Sequence, residues 1–479
     1  MKNKIIFLFT LVSAVAFSQE SDSTQVTYKK RVLEGIEVDF LVSYYKQDGV
    51  HSSVSGGIGS EKLTDLASNI IVAIPLNDDD VLTVDMGLSA YTSASSSNIN
   101  PFNATGASGG GDDDDDDDRA TVTGPYGTPW QASSGASAQD VLGSAVVNYS
   151  HSSDNRNFIW NTNVSFSNEY DYTSIGFGGG MSKLFNNKNS EVSAKANVYL
   201  DQWRPIYSTE LHEYAKYGLG FQNNGFFNGV TILDQNGNAT TSYLPSDFKV
   251  WNSTNRNSYS LSLSFSQVAT KKMQFSVFFD ILQQQGMLSS PYNRVYFADK
   301  ANYYIGQAQY IPVYETPQNR GVYQLADDIE RLPGTRFKLP FGGRLNYYIN
   351  ERLSLRTYYR YYWDNWGITS HTASIELPIK LTDKFTVFPM YRYYTQNASK
   401  YFAPFETHLS TEKYYTSDYD LSTFNASQYG LGIGYTDILT SAKIWNFGLK
   451  SIDLRFNHYD RNDGLNANII TFGIKFVEQ

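Results

Sequence analysis

The sequence contains no cysteine, and after its first residues it has no apolar run near the roughly 20 residues that a transmembrane helix requires. Without cysteine, an exported chain folds without the disulfides that an extracytoplasmic compartment permits. Charged residues make up only 18% of the chain, and no basic stripe of the nucleic-acid-binding type is present. These absences argue against a disulfide scaffold, a helical membrane protein and a nucleic-acid-binding protein.

The N-terminus has the order of features of an export signal. Lys2 and Lys4 precede an apolar segment over 5–17, and the small residues of Ala16-Phe17-Ser18 fit a cleavage site. We therefore predict a signal peptide over 1–18 and a periplasmic N-terminal segment over 19–32. The cleavage site has no cysteine, so a lipid-anchored form is not expected.

Strict alternation of apolar and polar residues recurs along the rest of the chain. In "SYSLSLSFS" (258–266), Tyr259, Leu261, Leu263 and Phe265 alternate with serines. A period of two predicts β-strands, and no segment of helical period competes with it. The alternating runs reach about 10–14 residues, longer than the roughly 5–6 of typical strands and long enough to cross a bilayer at a tilt. No fixed repeat indicates a propeller or a β-helix.

The joints between predicted strands alternate between short turns and mostly long loops, the pattern of outer-membrane barrels. We predict an all-β fold over 33–479, a transmembrane antiparallel up-and-down barrel with both ends of the chain periplasmic. Fourteen strands is the alternative count if the glycine-rich sixth strand and a neighbour are not strands. The sixteen predicted strands are 34–46, 65–76, 80–93, 137–151, 156–171, 173–185, 190–203, 256–269, 272–285, 336–349, 351–364, 368–381, 383–396, 426–438, 443–460 and 464–478.

Residues 109–118 read "GGGDDDDDDD" and fall in the second long loop, 94–136, which we expect to be extracellular. A hydrated acidic loop without fixed structure is the ordinary interpretation of such a charge block. Crowded carboxylates could also bind a divalent cation such as calcium, although the spaced ligands and turn glycine of an EF-hand are missing. Docking of a basic partner is a third interpretation. The candidate ligands are Asp112, Asp113, Asp114, Asp115, Asp116, Asp117 and Asp118.

Strand parity also predicts which charged residues line the lumen. Tyr359, Tyr361 and Tyr391 would then face lipid or the membrane interface, where aromatic side chains are enriched. Lumen charges either pair with one another or set ion preference, and both interpretations stay open. The basic members lie on the tenth, eleventh, thirteenth and fifteenth predicted strands, which would suit an anion-preferring wall. The predicted lumen set is Arg344, Arg356, Arg360, Arg392, Arg455, Glu376, Asp453 and Asp85.

No catalytic constellation stands out. The six histidines include no pair at metal-ligand spacing, and the serine-rich strands need no nucleophile to explain them, because serine wets a lumen. We predict a protein that is not an enzyme, with no catalytic residues and no cofactor other than calcium at the acidic loop.

Three stretches carry a family resemblance: "EVDFLVSYYKQDGVHSS" (37–53), "HSSVSGGIGSEKLTD" (51–65) and "SASSSNINPFNATGASGGG" (93–111). With these the chain resembles an uncharacterised outer-membrane β-barrel family, a domain of unknown function of Bacteroidota and some Proteobacteria. The resemblance implies a Gram-negative outer-membrane location. It also implies genomic neighbours that include a small lipoprotein, a thioredoxin-like protein and a flavin-transferring enzyme. It supplies no catalytic residues.

Two functional classes follow. The first is a pore or transporter for small polar solutes. The second is a non-transporting structural or interaction barrel whose long loops dock other outer-membrane proteins, lipoproteins or extracytoplasmic redox or flavin-linked partners. Outer-membrane lipid surrounds the barrel in both classes. The long loops hold enough chain to plug the lumen or to fold outward onto a partner.

Overall fold

A computed structural model describes residues 31–93, 139–313, 322–437 and 440–479. Nearly all of this chain is strand, turn or loop, and one α-helix is present among the described residues, α1 (Thr209–Tyr217). No helix in these ranges is long and apolar enough to span a bilayer. Short 3₁₀ helices lie at Ser53–Ser55, Gly218–Asn223, Gly225–Phe227, Ala308–Val313 and Tyr419–Leu421.

The strands are β1 (Glu37–Asp48), β2 (Leu63–Pro75), β3 (Asp80–Ser93), β4 (Gln139–Ser152), β5 (Phe158–Asn168), β6 (Tyr172–Phe185), β7 (Ser190–Trp203), β8 (Ile232–Asp234), β9 (Asn255–Thr270), β10 (Met273–Gly286), β11 (Arg294–Val295), β12 (Tyr303–Gly306), β13 (Val322–Leu325), β14 (Asp328–Ile329), β15 (Thr335–Lys338), β16 (Phe341–Asn350), β17 (Leu353–Trp363), β18 (Thr369–Glu376), β19 (Ile379–Lys380), β20 (Phe385–Gln396), β21 (Phe424–Thr436), β22 (Lys443–Ile444), β23 (Phe447–Arg461) and β24 (Asn466–Glu478).

One antiparallel sheet closes on itself. β1 pairs with β2 on one side and with β24 on the other, where Glu37 lies opposite Val477 and Asp48 opposite Asn466. Of its nineteen strand segments, β15, β19 and β22 are short pieces that extend β16, β18 and β21, so sixteen strands span the barrel. The predicted fold class and the count of sixteen are confirmed, and the glycine-rich sixth strand is present as β6. Closure leaves no sheet edge for lipid to face.

Apolar side chains cover the outside of this barrel. On β9, Leu261 and Leu263 are 38% and 42% exposed, and the intervening serines lie on the other face. Large exposed side chains such as Leu88 on β3 and Leu431 on β21 continue the pattern around the ring. A soluble sandwich would bury these residues, so the described surface suits lipid rather than water.

The two rims of the barrel differ in their connections. Short joints at 76–79, 153–157, 186–189, 271–272 and 351–352 share one rim with the start of β1 and the end of β24. We call this the turn rim. The opposite rim, the loop rim, carries the long connections 49–62, 204–254, 287–334 and 397–423. The alternation of short and long joints is therefore the predicted one.

The described residues of the long connections 49–62, 204–254, 287–334 and 397–423 pack together into one unit, here called the cap. One apolar core joins Phe221, Phe227, Ile232 and Tyr243 of the second connection to Ile305, Tyr323 and Leu325 of the third. A second core joins Leu211 of α1, Tyr296, Ile329 and the partly buried Phe405 of the fourth connection. The cap is thus a folded layer with its own hydrophobic interior.

The cap extends across the mouth of the barrel. Connection 49–62 joins the first and second spanning strands, and connection 287–334 joins the ninth and tenth, so they start from opposite sides of a ring of sixteen. A barrel of this strand number is about 30 Å across. Nevertheless, Nη1 of Arg294 in the second of these connections donates a 3.0 Å hydrogen bond to the carbonyl of Val54 in the first.

Helix α1 is a departure from the sequence prediction, which found no segment of helical period. The helix has only nine residues, and its buried members are Thr209, Glu210, Leu211 and Glu213. An isolated helix of this length is marginal in water, and tertiary packing supplies its stability. Its apolar stripe is too short to give a periodic signal.

Candidate functional site in the barrel interior

A cavity of 680 Å³ lies against six consecutive strands, β2 to β7. Six neighbouring strands can border one cavity only on their concave side, so it belongs to the barrel interior. Asp85 and Lys195 are the charged residues that line it; the neutral polar ones are Thr83, Ser144, Asn148, Asn161, Asn163, Ser165, Ser167, Tyr172, Ser174, Asn197 and Tyr199. We call this surface the neutral wall.

Three glycines of β6 lie at the centre of the neutral wall. Gly176, Gly178 and Gly180 alternate along the strand and so share one face. Gly178 lies opposite Asn163 on β5 and opposite Asn197 on β7. A Cβ atom on Gly178 would lie 2.7 Å from Oδ1 of Asn163 and 2.4 Å from Oδ1 of Asn197. Because glycine has no side chain, the flanking amides can extend over β6. A groove lined by Gly176, Gly178 and Gly180, here called the trough, runs along this strand.

The amides beside this trough make few hydrogen bonds within the described part of the chain. The side chains of Asn148, Asn161 and Asn163 make no hydrogen bond to any other described residue, and Asn197 makes one long bond, 3.3 Å, to Ser260. A carboxamide offers two N–H donors and an acceptor oxygen. With respect to the described residues, these groups are open to a solute in the cavity.

A charged wall occupies another part of the interior. Glu376 on β18 accepts hydrogen bonds from Nη1 of Arg356 and from Nη1 of Arg455, each at 2.8 Å. Arg455 lies on β23, with β20 and β21 between it and Glu376. Side chains bridge such a gap on the concave face, where they converge. Three residues of the predicted lumen set are therefore in direct contact.

The charged wall continues into a cavity of 510 Å³ lined by residues of β1, β2, β23 and β24. Asp453 and Arg455 line it together with Asp39 and Lys475. Nζ of Lys475 lies 2.6 Å from a carboxylate oxygen of Glu37 and 3.0 Å from one of Asp39. The charges of this region largely compensate one another.

The other predicted lumen residues have individual environments. Asp85 accepts a 3.0 Å hydrogen bond from Asn69 and lines the neutral wall. The guanidinium of Arg344 lies 5.6 Å from the ring of Tyr358, and that of Arg360 lies 5.9 Å from the ring of Tyr362. Arg392 lies opposite Ser374 and Gln428, neither of them charged. As an ion-selective site the set remains a prediction.

The acidic-loop ligands Asp112 to Asp118 lie outside the described residues, as does the predicted signal peptide. Within the described part of the chain, no group of three or more His, Cys, Asp or Glu residues could hold a metal ion.

A buried ion pair joins three segments of the cap. Nε of Arg294 lies 2.8 Å from Oε1 of Glu210, and the two residues are 2% and 0% exposed. Glu210 also accepts a hydrogen bond from the backbone N–H of Ala326, while Arg294 reaches Val54. Strand alternation carries no signal for this pair, because it depends on loops that meet only in the folded barrel.

The pKa of the Asp327 carboxyl, in the cap, is shifted from its ordinary value. Burial away from water raises its pKa to about 7, and the nearby carboxylates of Asp247 and Glu406 act in the same direction. The backbone N–H of Phe297, which donates to Asp327, and the ammonium of Lys300 oppose this rise. Asp327 therefore changes charge near neutral pH.

The chain belongs to a family of proteins of unknown function (DUF3570), whose model matches residues 8–468. The predicted membership of an uncharacterised family is thereby confirmed. No curated protein matches the sequence.

Three solved structures illustrate the structural likeness. A bacterial polysaccharide outer membrane secretin aligns at 9% identity and a TM-score of 0.41, covering 94% of this chain and 100% of that one. A deltaS2 mutant of the TodX monoaromatic hydrocarbon channel aligns at 8% identity and 0.37, covering 93% and 90%. The outer membrane protein OpdK from Pseudomonas aeruginosa aligns at 7% identity and 0.33, covering 92% and 99%. Likenesses this distant identify no activity for the chain.

Proposed function

We propose that this DUF3570 family member is an outer-membrane channel that passes small polar solutes and catalyses no reaction. One observation carries the proposal: a closed barrel with an apolar exterior encloses a polar cavity of 680 Å³ on its concave face. Hydroxyl and amide side chains along such an interior keep water in the lumen and replace part of a solute's hydration.

The outer membrane of a Gram-negative cell is the location that suits this surface. Closed antiparallel barrels with an even number of spanning strands are typical of proteins of that membrane. The N-terminal export signal predicted from the sequence is consistent with this location. The loop rim would then face outside the cell, and the turn rim would face the periplasm.

The cap sets a condition on transport. Its connections meet across the mouth, so a solute enters through gaps beside or within the cap rather than through a wide opening. The channel should accordingly conduct less than an unobstructed pore of the same strand number.

Electrical recording from the purified full-length barrel in a planar bilayer tests the proposal. We expect discrete conductance steps, together with swelling of liposomes that contain the barrel when they are placed in a monosaccharide solution. Heat-modifiable migration in an electrophoresis gel reports folding in each preparation. Folded barrel that yields neither steps nor swelling would overturn the channel proposal.

A second function is favoured by the cap itself. A folded layer with two apolar cores and a buried ion pair presents a defined surface to the outside, as a docking platform would. In this function the barrel holds the cap at the membrane and passes nothing. Absence of conductance from folded protein, together with a specific cross-link from a cap residue to one partner in intact cells, is the result that separates this function from a channel.

A further inference from the structure

We infer that the neutral wall is a binding site for a neutral, polyhydroxylated solute, a short saccharide, held along the glycine trough of β6. The inference rests on the proposed channel function only where it concerns transport of the bound solute. Binding itself depends on the geometry of β5, β6 and β7.

The trough has a repeating cross-section. Three successive inward-facing positions of β6 are glycines, each between a polar residue of β5 and a polar residue of β7: Ser165–Gly176–Tyr199, Asn163–Gly178–Asn197 and Asn161–Gly180–Lys195. Equivalent positions repeat about every 6.6–6.8 Å along a strand. Glycine within a strand often marks a place where a ligand approaches the backbone closely. A ring lying on Gly178 would therefore meet amides on both sides.

The chemistry of the flanking groups selects hydroxyls. A sugar hydroxyl donates one hydrogen bond and accepts others. A carboxamide can accept such a bond through its C=O group and donate one through its N–H groups. Asn148 and Asn163 are opposite neighbours on β4 and β5, and neither side chain has a hydrogen-bonding partner among the described residues. The site thus offers adjacent donors and acceptors without a net charge, which suits vicinal hydroxyls.

An aromatic side chain borders the trough toward the loop rim. A Cβ atom on Gly176 would lie 2.7 Å from Cδ1 of Tyr199, so this ring lies directly beside the glycine floor. An aromatic ring presents a flat apolar face and, in tyrosine, a polar tip. The C–H face of a sugar ring can pack against it while the sugar hydroxyls reach the amides.

The trough is connected toward the cap. A second cavity, of 280 Å³, is lined by Tyr172, Tyr199, Asp201, Trp203 and Arg256, among others, and shares both tyrosines with the larger cavity. The larger cavity has the size of ordinary ligand pockets, about 300–1,000 Å³. The second cavity is therefore adjacent to the trough, on the side of the loop rim.

Charge separates this site from the rest of the interior. Asp85 is already bonded to Asn69, and Lys195 lies at the far end of the trough from Tyr199. Arginines and carboxylates instead dominate the charged wall. An anionic solute should prefer that wall, and a neutral solute should prefer the trough.

Isothermal titration calorimetry of the full-length barrel in detergent tests binding without requiring transport. The probes are maltose, maltotriose and, as an anion of similar size, citrate. We expect binding of maltotriose to fall at least about tenfold in the double variant Asn163→Leu/Asn197→Leu and in Gly178→Leu, because each removes or blocks amide hydrogen bonds. Gly178→Ala replaces Gly178→Leu if the larger side chain prevents folding, since the atoms that it meets are the mobile ends of two asparagines.

Matched substitutions on the outer face serve as controls. Asn257→Leu lies on the face of β9 that carries Leu261, and Gly143→Leu lies on β4, where the nearest atom to an added Cβ is Cδ2 of Leu88 at 3.8 Å. Both should leave maltotriose affinity within about twofold of the unsubstituted protein. Equal loss in trough and control variants, or wild-type protein that binds neither saccharide, would overturn the inference.

Single-channel recording separates the inference from the channel proposal. If the barrel conducts but maltotriose neither binds nor blocks the current, the saccharide site is wrong and the channel stands. If maltotriose binds with the predicted variant dependence while folded barrel never conducts, the saccharide site stands and the channel is wrong.

Discussion

The barrel wall and the cap place the same kinds of side chain in opposite ways. On the wall, large apolar residues such as Leu88 and Leu431 point outward and are each 60% exposed. In the cap, Phe221 and Phe227 are completely buried. The difference follows from the surroundings, because the wall is built to face lipid and the cap to face water. Two regions of one chain therefore distribute their apolar residues for two different environments, lipid and water.

Charges follow the same division. Arg356 and Arg455 of the charged wall stay 52% and 36% exposed in their contacts with Glu376, as expected beside a wet lumen. The Arg294–Glu210 pair of the cap is shielded from water. Ion pairs exposed to water contribute little to stability, whereas loss of one partner from a buried pair is costly. The cap should therefore be the more vulnerable region to changes of single charges.

The largest expected effect is that of Glu210→Ala. The substitution leaves the buried guanidinium of Arg294 without its carboxylate, so the cap should lose on the order of 4 kcal/mol of stability while the barrel stays folded. Hydrogen exchange of peptides from 204–254, read by mass spectrometry, measures the loss. Glu351→Ala, at an exposed glutamate of the turn rim, is the control. Unchanged exchange in the cap would show that the pair does not hold it together.

Apolar substitutions test the two-solvent comparison directly. Phe227→Ala removes a fully buried ring and should destabilise the cap by about 3 kcal/mol. Phe166→Ala removes a half-exposed ring from the outer face of β5 and should leave the cap unaffected. The same exchange measurement compares the two variants. Equal effects on the cap would break the distinction between the regions.

The stability of the cap should fall as the pH rises from about 4 to about 7. The pKa of Asp327 is higher in the folded state than its ordinary value, so the folded cap binds the proton more tightly than the unfolded chain does. The contribution of protonated Asp327 is thus complete below the unfolded pKa and is lost as the pH passes through the folded one. Asp327→Asn should flatten this dependence, and thermal unfolding of the cap at pH 5 and pH 8 measures it. A steeper dependence in the variant would contradict the assignment to Asp327.

A smaller effect is expected from Glu376→Gln. The substitution removes the shared counter-charge of Arg356 and Arg455, so a conducting barrel should become more anion-selective. The reversal potential in a potassium chloride gradient measures this change. Stability should shift by less than about 1 kcal/mol, because both arginines are substantially exposed. A shift toward cation selectivity would mean that these arginines do not face the conducting path.

The smallest effect on folding is expected from replacing Asp112–Asp118 with serine. The sequence predicts an extracellular loop there, apart from the strands that build the barrel, so heat-modifiable migration should be unchanged. Calcium binding, measured by calorimetry, should decrease if these carboxylates supply the ligands. Failure of the variant to form a barrel would show that the run has a part in folding.

The sequence by itself was enough to predict the barrel. The predicted strands 80–93 and 190–203 coincide with β3 and β7, and the other spanning strands differ at their ends by a few residues. Alternation is a local property of neighbouring residues. Because each spanning strand must alternate over the thickness of the bilayer, the pattern is long enough to be recognised in a single sequence. Parity also selected Arg356, Glu376 and Arg455 for one face, although it could not say that the glutamate contacts both arginines.

The tertiary structure alone decided the cap and the trough. Arg294 and Val54 are separated by 240 residues along the chain, and no local pattern relates them. Asn163 and Asn197 flank Gly178 only because β5, β6 and β7 pair in one particular register. A slip of one residue between strands would turn a whole set of side chains to the other face. Alternation determines which residues share a face, but only ring closure and register determine which of them meet.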